Sequence, residues 1–327
     1  MDPLYHHTFT AQQLLADHPP QPQDANKRVV FDLTCPPTAV HNGRIHVSHW
    51  PSVDLPATFA RRNAGSAFEL QDGFFTYDRP APGWMEWHLN FAHWDLFSAY
   101  AGPLFAQDEM QVAEHPALAS IRHALLDSGL STLTVKDSEP TPILVAGVER
   151  RCAIMTEPNP AAGRPHSLYG NHFARADGQV VAQATHLLDP PTVSNILAME
   201  APANGWGRYT EAQIHYILTT AYTGFAAAVV ESQHLLGPEV SVVIHTGYWG
   251  CGAYGGNRVL MPLLQMVAAV MTGVDALVFH AGPDVGPYET ARHLLNDLLP
   301  DGESVSIDDL VWDILAQDFD WNVGDGT

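Results

Sequence analysis

Val240-Ser-Val-Val-Ile-His-Thr-Gly-Tyr-Trp-Gly-Cys-Gly-Ala-Tyr-Gly-Gly256 runs from an unbroken apolar stretch into a glycine-rich turn. Val240 to His245 has the length and β-branched content of a buried strand. Arg258 to Thr272 is an apolar helix, and Val274 to His280 is a second buried strand. Strand, loop, helix, strand predicts a parallel pair joined by a right-handed crossover. Glycines at 250, 252, 255 and 256 let the backbone turn tightly and approach a ligand closely. The helix start that follows adds unpaired N–H donors and the positive end of a dipole. Together these features suit a diphosphate. The spacing fits neither the dinucleotide fingerprint nor the phosphate loop that ends in Gly-Lys-Ser/Thr. On glycine content alone, an ordinary tight strand-to-helix turn is the competing reading.

Outward from this stretch, Thr210 to Leu235 is long and apolar, a largely buried helix. Helices at Pro287–Leu299 and Ile307–Gln317 close the chain, and residues beyond Asp318 are expected to fray. Upstream, Met85 to Phe91 alternates as a core strand. Gly102 to Glu114 has helical spacing, and a second helix runs from Pro116 to about Leu126. Short strands are expected at Ser131–Val135, Pro142–Val145 and Gln179–Leu187, with a loop from Glu157 to Gly170. Nearer the start, the pattern predicts a helix over Thr10–Asp17 and strands over Arg28–Leu33 and Arg44–His49. A hairpin is expected over Phe68–Tyr77, turning at Asp72-Gly73.

The chain has 327 residues, 46% of them hydrophobic, which excludes a disordered chain. Asp and Glu number 36 against 15 Lys and Arg, for a net charge of −21. That balance argues against a broad nucleic-acid-binding face and against docking on an anionic membrane. No apolar run reaches the length of a membrane span, and the N-terminus lacks a signal core, so a cytoplasmic monomer is the expectation. Cys35, Cys152 and Cys251 form no CxxC, so neither a disulfide framework nor a zinc site is signalled. His46 with His49, or His88 with His93, have metal-ligand spacing. No third ligand converges on either pair, so no metal or cofactor is expected.

A second chemical feature lies at Phe91-Ala-His-Trp-Asp-Leu-Phe-Ser-Ala-Tyr-Ala-Gly-Pro-Leu-Phe-Ala-Gln-Asp-Glu109. A strand ends, a loop follows, and an acidic pair enters a helix among apolar neighbours. Burial raises a carboxyl pKa and makes it a general acid. A first-turn carboxylate stabilising the helix dipole is the plainer alternative.

Taken together, the two features resemble the poly(ADP-ribose) glycohydrolase family of macrodomains. That family has Phe-Ala-Asn, a triple glycine and Gln-Glu-Glu, where this chain has Phe91-Ala92-His93 and Gln107-Asp108-Glu109. Its diphosphate loop reads Thr-Gly-Asn-Trp-Gly-Cys-Gly-Ala-Phe-Gly-Gly; here only Tyr248 and Tyr254 differ. Ala221-Tyr-Thr-Gly-Phe225, Leu263-Leu-Gln265 and Ala276-Leu-Val-Phe-His280 also fit the pattern. The resemblance covers about residues 65 to 320, leaving 1–64 as an unplaced extension and 321–327 as a flexible tail.

The resemblance implies a single macrodomain-like three-layer α/β/α sandwich with a mixed sheet. It implies Glu109 as the catalytic acid and Asp108 as its partner in placing substrate hydroxyls. Gly247, Tyr248, Trp249, Gly250, Cys251, Gly252, Ala253 and Tyr254 would bind the ligand, with Tyr254 on the distal ribose. Gln107, His93, Phe97, Ser98 and Tyr169 complete the implied substrate contacts. The ligand would be ADP-ribose or an ADP-ribosylated substrate. The departures are Phe97-Ser98-Ala99 for the glycine run, His93 for Asn, Asp108 for Glu and Tyr248 for Asn, with Ala281 where a Phe is expected. Bulk at 97–99 is expected to narrow the approach to the distal ribose and to exclude polymer. Two alternatives to an ADP-ribosyl glycohydrolase stay open: a non-catalytic ADP-ribose reader, and an enzyme of another small NAD-derived nucleotide.

Overall fold

The computed structural model describes residues 1–61, 65–203 and 205–325. The chain opens with β1 (Tyr5–Thr10), α1 (Ala11–Asp17), α2 (Ala25–Thr34), β2 (Arg44–His49), β3 (Thr58–Ala60), β4 (Ala67–Gln71) and β5 (Trp84–Phe91). Next come α3 (Gln107–Glu114), α4 (Ala117–Asp127), β6 (Val135–Lys136), β7 (Glu139–Pro140), β8 (Ile143–Ile154), α5 (Gly178–Ala184) and β9 (Thr185–Met199). The last part holds α6 (Glu211–Leu236), β10 (Ser241–Gly247), α7 (Leu260–Thr272), β11 (Ala276–His280), α8 (Gly286–Leu298), β12 (Ser304–Ser306) and α9 (Ile307–Leu315).

Eight strands form one mixed sheet in the order β1-β2-β8-β9-β5-β10-β11-β4. The first three pairs are antiparallel; from β9 onward every pair is parallel. Alternation along the strands sends neighbouring side chains to opposite faces. Trp87, Leu89, Leu197, Ile244 and Phe279 pack under α6, α7, α8 and α9. On the other face, Ile143, Val145, Ile196 and Ala198 pack under α1 and α4. A third cluster joins α2, α3 and α5 over the far end of β8 through Val30, Phe105, Ala113, Cys152 and Val181. The layers are therefore helix, sheet, helix, as expected. Among the described residues, no helix is long and apolar enough to cross a membrane.

Several local expectations are corrected. Arg28–Leu33 is part of the helix α2, because Asp24 caps its start by accepting from the N–H groups of Asn26 and Lys27. Lys27, Val30, Phe31 and Thr34 then form a buried helical stripe that the apolar run disguises. Asp177 similarly caps α5, so Gln179–Ala184 is helical and the strand begins at Thr185. The hairpin at Phe68–Tyr77 does not form. Ala67–Gln71 lies parallel to β11, and Gly73 bridges Gly282 instead of turning back. The helix expected from Gly102 starts only at Gln107, since Ala106 is extended. Ser131–Val135 contributes only the start of the short β6, whereas the strand expected at Pro142–Val145 extends to Ile154.

The two chain ends are also part of the body. β1 and β2 supply the antiparallel edge of the sheet, so much of the expected extension is built into it. Past Asp318, Trp321 stacks on Tyr209 with ring centroids 4.2 Å apart. The Asn322 N–H donates to the Gly255 carbonyl at 2.8 Å, and its side chain to the Gly256 carbonyl at 3.1 Å. The expected frayed tail is thus tied to the glycine-rich loop as far as Asp325; residues 326 and 327 lie outside the described ones.

Candidate active site

Strands β5 and β10 lie side by side and parallel. The chain leaving β5 enters α3 on one face of the sheet, and the chain leaving β10 enters α7 on the other. Divergence of two neighbouring connections opens a crevice at the carboxyl ends of the strands, the usual ligand position in such sheets. The acidic pair opens α3 after β5 and the glycine-rich loop follows β10, so both belong to this end of the sheet.

Gln107 fastens the start of α3 to β5. Its side-chain oxygen accepts from the Phe91 N–H at 2.8 Å, and its amide donates to the Leu89 carbonyl at 3.0 Å. Asp108 is held by the Asn90 amide, which donates to Oδ1 at 3.0 Å. Glu109 turns back so that Oε2 accepts the Ala106 N–H at 2.9 Å. This is half of a capping box, since alanine has no side-chain acceptor to return. Asp108 and Glu109 are only 6% and 4% exposed. Burial raises both carboxyls above their ordinary values, and the charge of Glu109 raises Asp108 further. The buried pair as a whole therefore holds on to a proton more strongly than exposed carboxyls would.

The loop after β10 is pinned to the core at several points. Trp249 is fully buried and its indole N–H donates to the Met199 carbonyl at 3.1 Å. It anchors the loop in the core, which corrects its expected role as a ligand contact. Cys251 is likewise turned inward, its Sγ 3.6 Å from the carbonyls of Trp249 and Asn257, and burial pushes its thiol up to about 12. Gly250 has φ +74°, and a Cβ there would meet the Ala201 Cβ at 2.5 Å, so glycine is required. The Gly256 N–H closes back on the Gly250 carbonyl at 2.8 Å. Gly247 approaches the His280 carbonyl too closely for a side chain.

Among the described residues, the N–H groups of Gly252, Ala253 and Tyr254 make no hydrogen bond. Successive unpaired N–H groups are the backbone feature from which anion-binding concavities are built. The helix start itself does not serve, contrary to expectation. The Asn257 side chain already accepts from the N–H groups of Val259 and Leu260.

Tyr254 spans the crevice. Its hydroxyl donates to Glu200 Oε1 at 3.2 Å, and burial with the charges of Glu200, Asp108 and Glu109 raises its phenol. Tyr169 comes from the opposite rim, where the Gly170 N–H donates to the Phe105 carbonyl at 2.8 Å and docks the segment beside α3. Burial and the charge of Glu109 push its phenol up to about 12. Asp108, Glu109, Tyr169 and Tyr254 are therefore gathered around one space.

Other expected contacts are placed elsewhere. Tyr248 donates to the Asp284 carbonyl at 2.6 Å, with the Arg258 guanidinium 3.9 Å over its ring. His93 Nδ1 accepts from the Asp95 N–H at 3.2 Å and lies 3.2 Å from Ser98 Oγ, so this pair shapes the loop. Phe97 is fully buried within the core under α1 and α4, at φ +55°. Its ring does not wall the crevice, and the steric ground for excluding polymer is withdrawn at that position. The backbone keeps the left-handed conformation that a glycine would adopt there. Among the described residues, no three His, Cys, Asp or Glu side chains are placed to share a metal ion.

Sequence reasoning missed Glu200, Asn90 and Lys27. Glu200 follows β9 with no motif around it, and Asn90 reads as one polar position in an alternating strand. Lys27 immediately precedes the segment taken for a strand, and its side chain is wholly buried.

A family model described as poly(ADP-ribose) glycohydrolase, macro domain fold, matches residues 165–285, which include Tyr169 and the whole glycine-rich loop. Poly(ADP-ribose) glycohydrolase from Thermomonospora curvata aligns at 15% identity over 89% of this chain and 85% of that one, with a TM-score of 0.45. The same enzyme bound to the inhibitor ADP-HPD aligns at 18% identity over 73% of this chain and 83% of that one, at 0.44. The Deinococcus radiodurans enzyme in complex with ADP-ribose aligns at 14% identity over 89% and 92%, at 0.40. These overlaps are too loose to transfer any residue's role. Over residues 165–285, which hold the glycine-rich loop, the chain is thus similar to the poly(ADP-ribose) glycohydrolase macro domain.

Proposed function

We propose that the protein is an ADP-ribosyl glycohydrolase that cleaves the glycosidic bond at the distal ribose of an ADP-ribosyl group. One observation carries this reading: the buried carboxyl Glu109 lies within electrostatic reach of Tyr254, the last of three successive residues, Gly252 to Tyr254, whose N–H groups are unpaired. Those donors take the diphosphate, and Tyr254 packs against the ribose beside them. Binding at the diphosphate fixes the anomeric carbon near the acid and removes the entropy cost of finding it.

The proton that burial keeps on the Asp108–Glu109 pair passes through Glu109 to the leaving atom as the bond from C1 breaks and oxocarbenium character develops. The resulting carboxylate then accepts a proton from the water that adds to C1, which restores the acid. Asp108, steered by Asn90, holds ribose hydroxyls. The three free cysteines fit a reducing compartment such as the cytoplasm.

The test is release of free ADP-ribose from mono-ADP-ribosylated and poly(ADP-ribosylated) protein, followed by chromatography. Release from either substrate supports the reading, and the ratio between them measures chain-length preference. Tight ADP-ribose binding with no release from any linkage would replace it with the reader function.

A further inference from the structure

The segment between β8 and α5, with the first residues of α5, folds around a cavity of about 330 Å³. None of the residues lining it comes from α3 or from the glycine-rich loop. Its volume lies at the small end of the range for pockets that take organic ligands. Arg164 and Arg175 line it together with His166, His172 and Ser167. In a chain of net charge −21 this is a local excess of cationic and N–H-donating groups.

Arg164 is only 7% exposed. Its Nε donates to the Glu157 carbonyl at 2.5 Å, and among the described residues the rest of its guanidinium has neither a hydrogen-bond nor a carboxylate partner. A buried charge without a counter-ion is costly, so the position favours an anion brought from outside. Arg175 is exposed and, among the described residues, likewise unpaired. The His166 and His172 rings lie nearly parallel with centroids 6.1 Å apart. Even a neutral imidazole keeps one N–H to donate. Ser167 Oγ accepts the Tyr169 N–H at 3.0 Å, which leaves its own O–H to donate into the cavity. Asp177 is the one acidic residue in the lining, and its carboxylate is engaged in capping α5, accepting the Gln179 N–H at 2.7 Å. Leu168 and Val180 make part of the wall apolar.

We propose that this cavity is a second ligand site, one that takes a small organic phosphate. The buried Arg164 and the exposed Arg175 hold the phosphate group. Guanidinium forks match pairs of phosphate oxygens, and a dianion compensates both charges at once. The imidazole and hydroxyl donors serve the remaining oxygens, and the apolar wall receives the carbon skeleton. The site shares no residue with the acidic pair or the glycine-rich loop, so the proposal does not rest on the hydrolase reading.

The test follows the arginine Nε–Hε and histidine ring signals of the full chain by nuclear magnetic resonance as ribose 5-phosphate is added. Ribose and inorganic phosphate serve as comparisons. Signals of Arg164, Arg175, His166 and His172 are expected to move together and to saturate, inorganic phosphate to compete, and ribose alone to leave them in place. Arg175→Gln, at an exposed position, is expected to weaken binding about tenfold. Asp177→Asn keeps a capping side chain and removes the one opposing charge, so it is expected to tighten binding a few-fold. A purely structural role for these side chains would not produce that gain. No saturable movement at millimolar ribose 5-phosphate would overturn the proposal, as would equal affinity in wild type and Arg175→Gln. Movement confined to the amides of Gly252 to Tyr254 would place the phosphate on the glycine-rich loop and overturn it as well. Folded Arg164→Gln is expected to lose binding; should it fail to fold, Arg175→Gln and Asp177→Asn decide.

Discussion

Phe97 carries a large apolar ring on a backbone conformation that suits glycine. With φ +55° and no exposure, it gains burial and loses conformational comfort at the same atom. Truncating a buried Phe to Ala costs ~3–5 kcal/mol. Phe97→Gly loses the ring too, but escapes a left-handed penalty of about 1 kcal/mol. Phe97→Gly is therefore expected to be more stable than Phe97→Ala, the reverse of their order in a helix. Urea unfolding decides this, and a more stable alanine variant would show that φ at 97 is not strained. The same residue shows what sequence can tell about a site. Glu109 and the loop were legible because motif spacing is local. The direction of the Phe97 ring was not, because it depends on which face of a loop the core takes.

Among the elements, α2 and α5 were misread as strands and α6 and β10 were read correctly. The difference lies in capping and length. α6 shows its apolar character over 26 residues, whereas α2 spans 10 and is announced mainly by Asp24. A short run such as Val29-Val30-Phe31 satisfies both periods, and the cap decides between them. The C-terminal tail was misjudged for a related reason, since Trp321 and Asn322 bind a loop that is distant in sequence. Asn322→Ala removes a side-chain hydrogen bond to the Gly256 carbonyl, worth about 1 kcal/mol. It is expected to speed amide exchange at Gly255 and Asn257 several-fold while leaving exchange in α6 unchanged. Uniform exchange across the chain would mean that the tail does not brace the loop.

At the scale of the whole molecule, stability and chemistry depend on buried groups held in one protonation state. His115 Nδ1–H donates to the Gln111 carbonyl at 2.8 Å, so Nε2 accepts from the Ser194 hydroxyl at 3.0 Å and the ring is neutral. Burial, then Arg150, hold it down to about 3. The unfolded chain binds this proton near pH 6.5 and the folded one does not. The group's stabilisation is therefore full above pH 6.5 and falls away as the pH drops towards 3. Between pH 7 and 5 it accounts for about 2 kcal/mol of lost stability. His115→Asn should lose less stability than wild type over that interval by this amount, measured as urea midpoints. Equal losses would place the titration elsewhere. The acidic pair uses burial in the opposite sense, keeping a proton where exposed carboxyls would lose it. The most direct measurement compares Glu109→Gln with wild type for release of ADP-ribose from an ADP-ribosylated protein, alongside calorimetric binding of free ADP-ribose. The account predicts a fall in turnover of ~100-fold or more with affinity nearly unchanged. Turnover equal to wild type would contradict it.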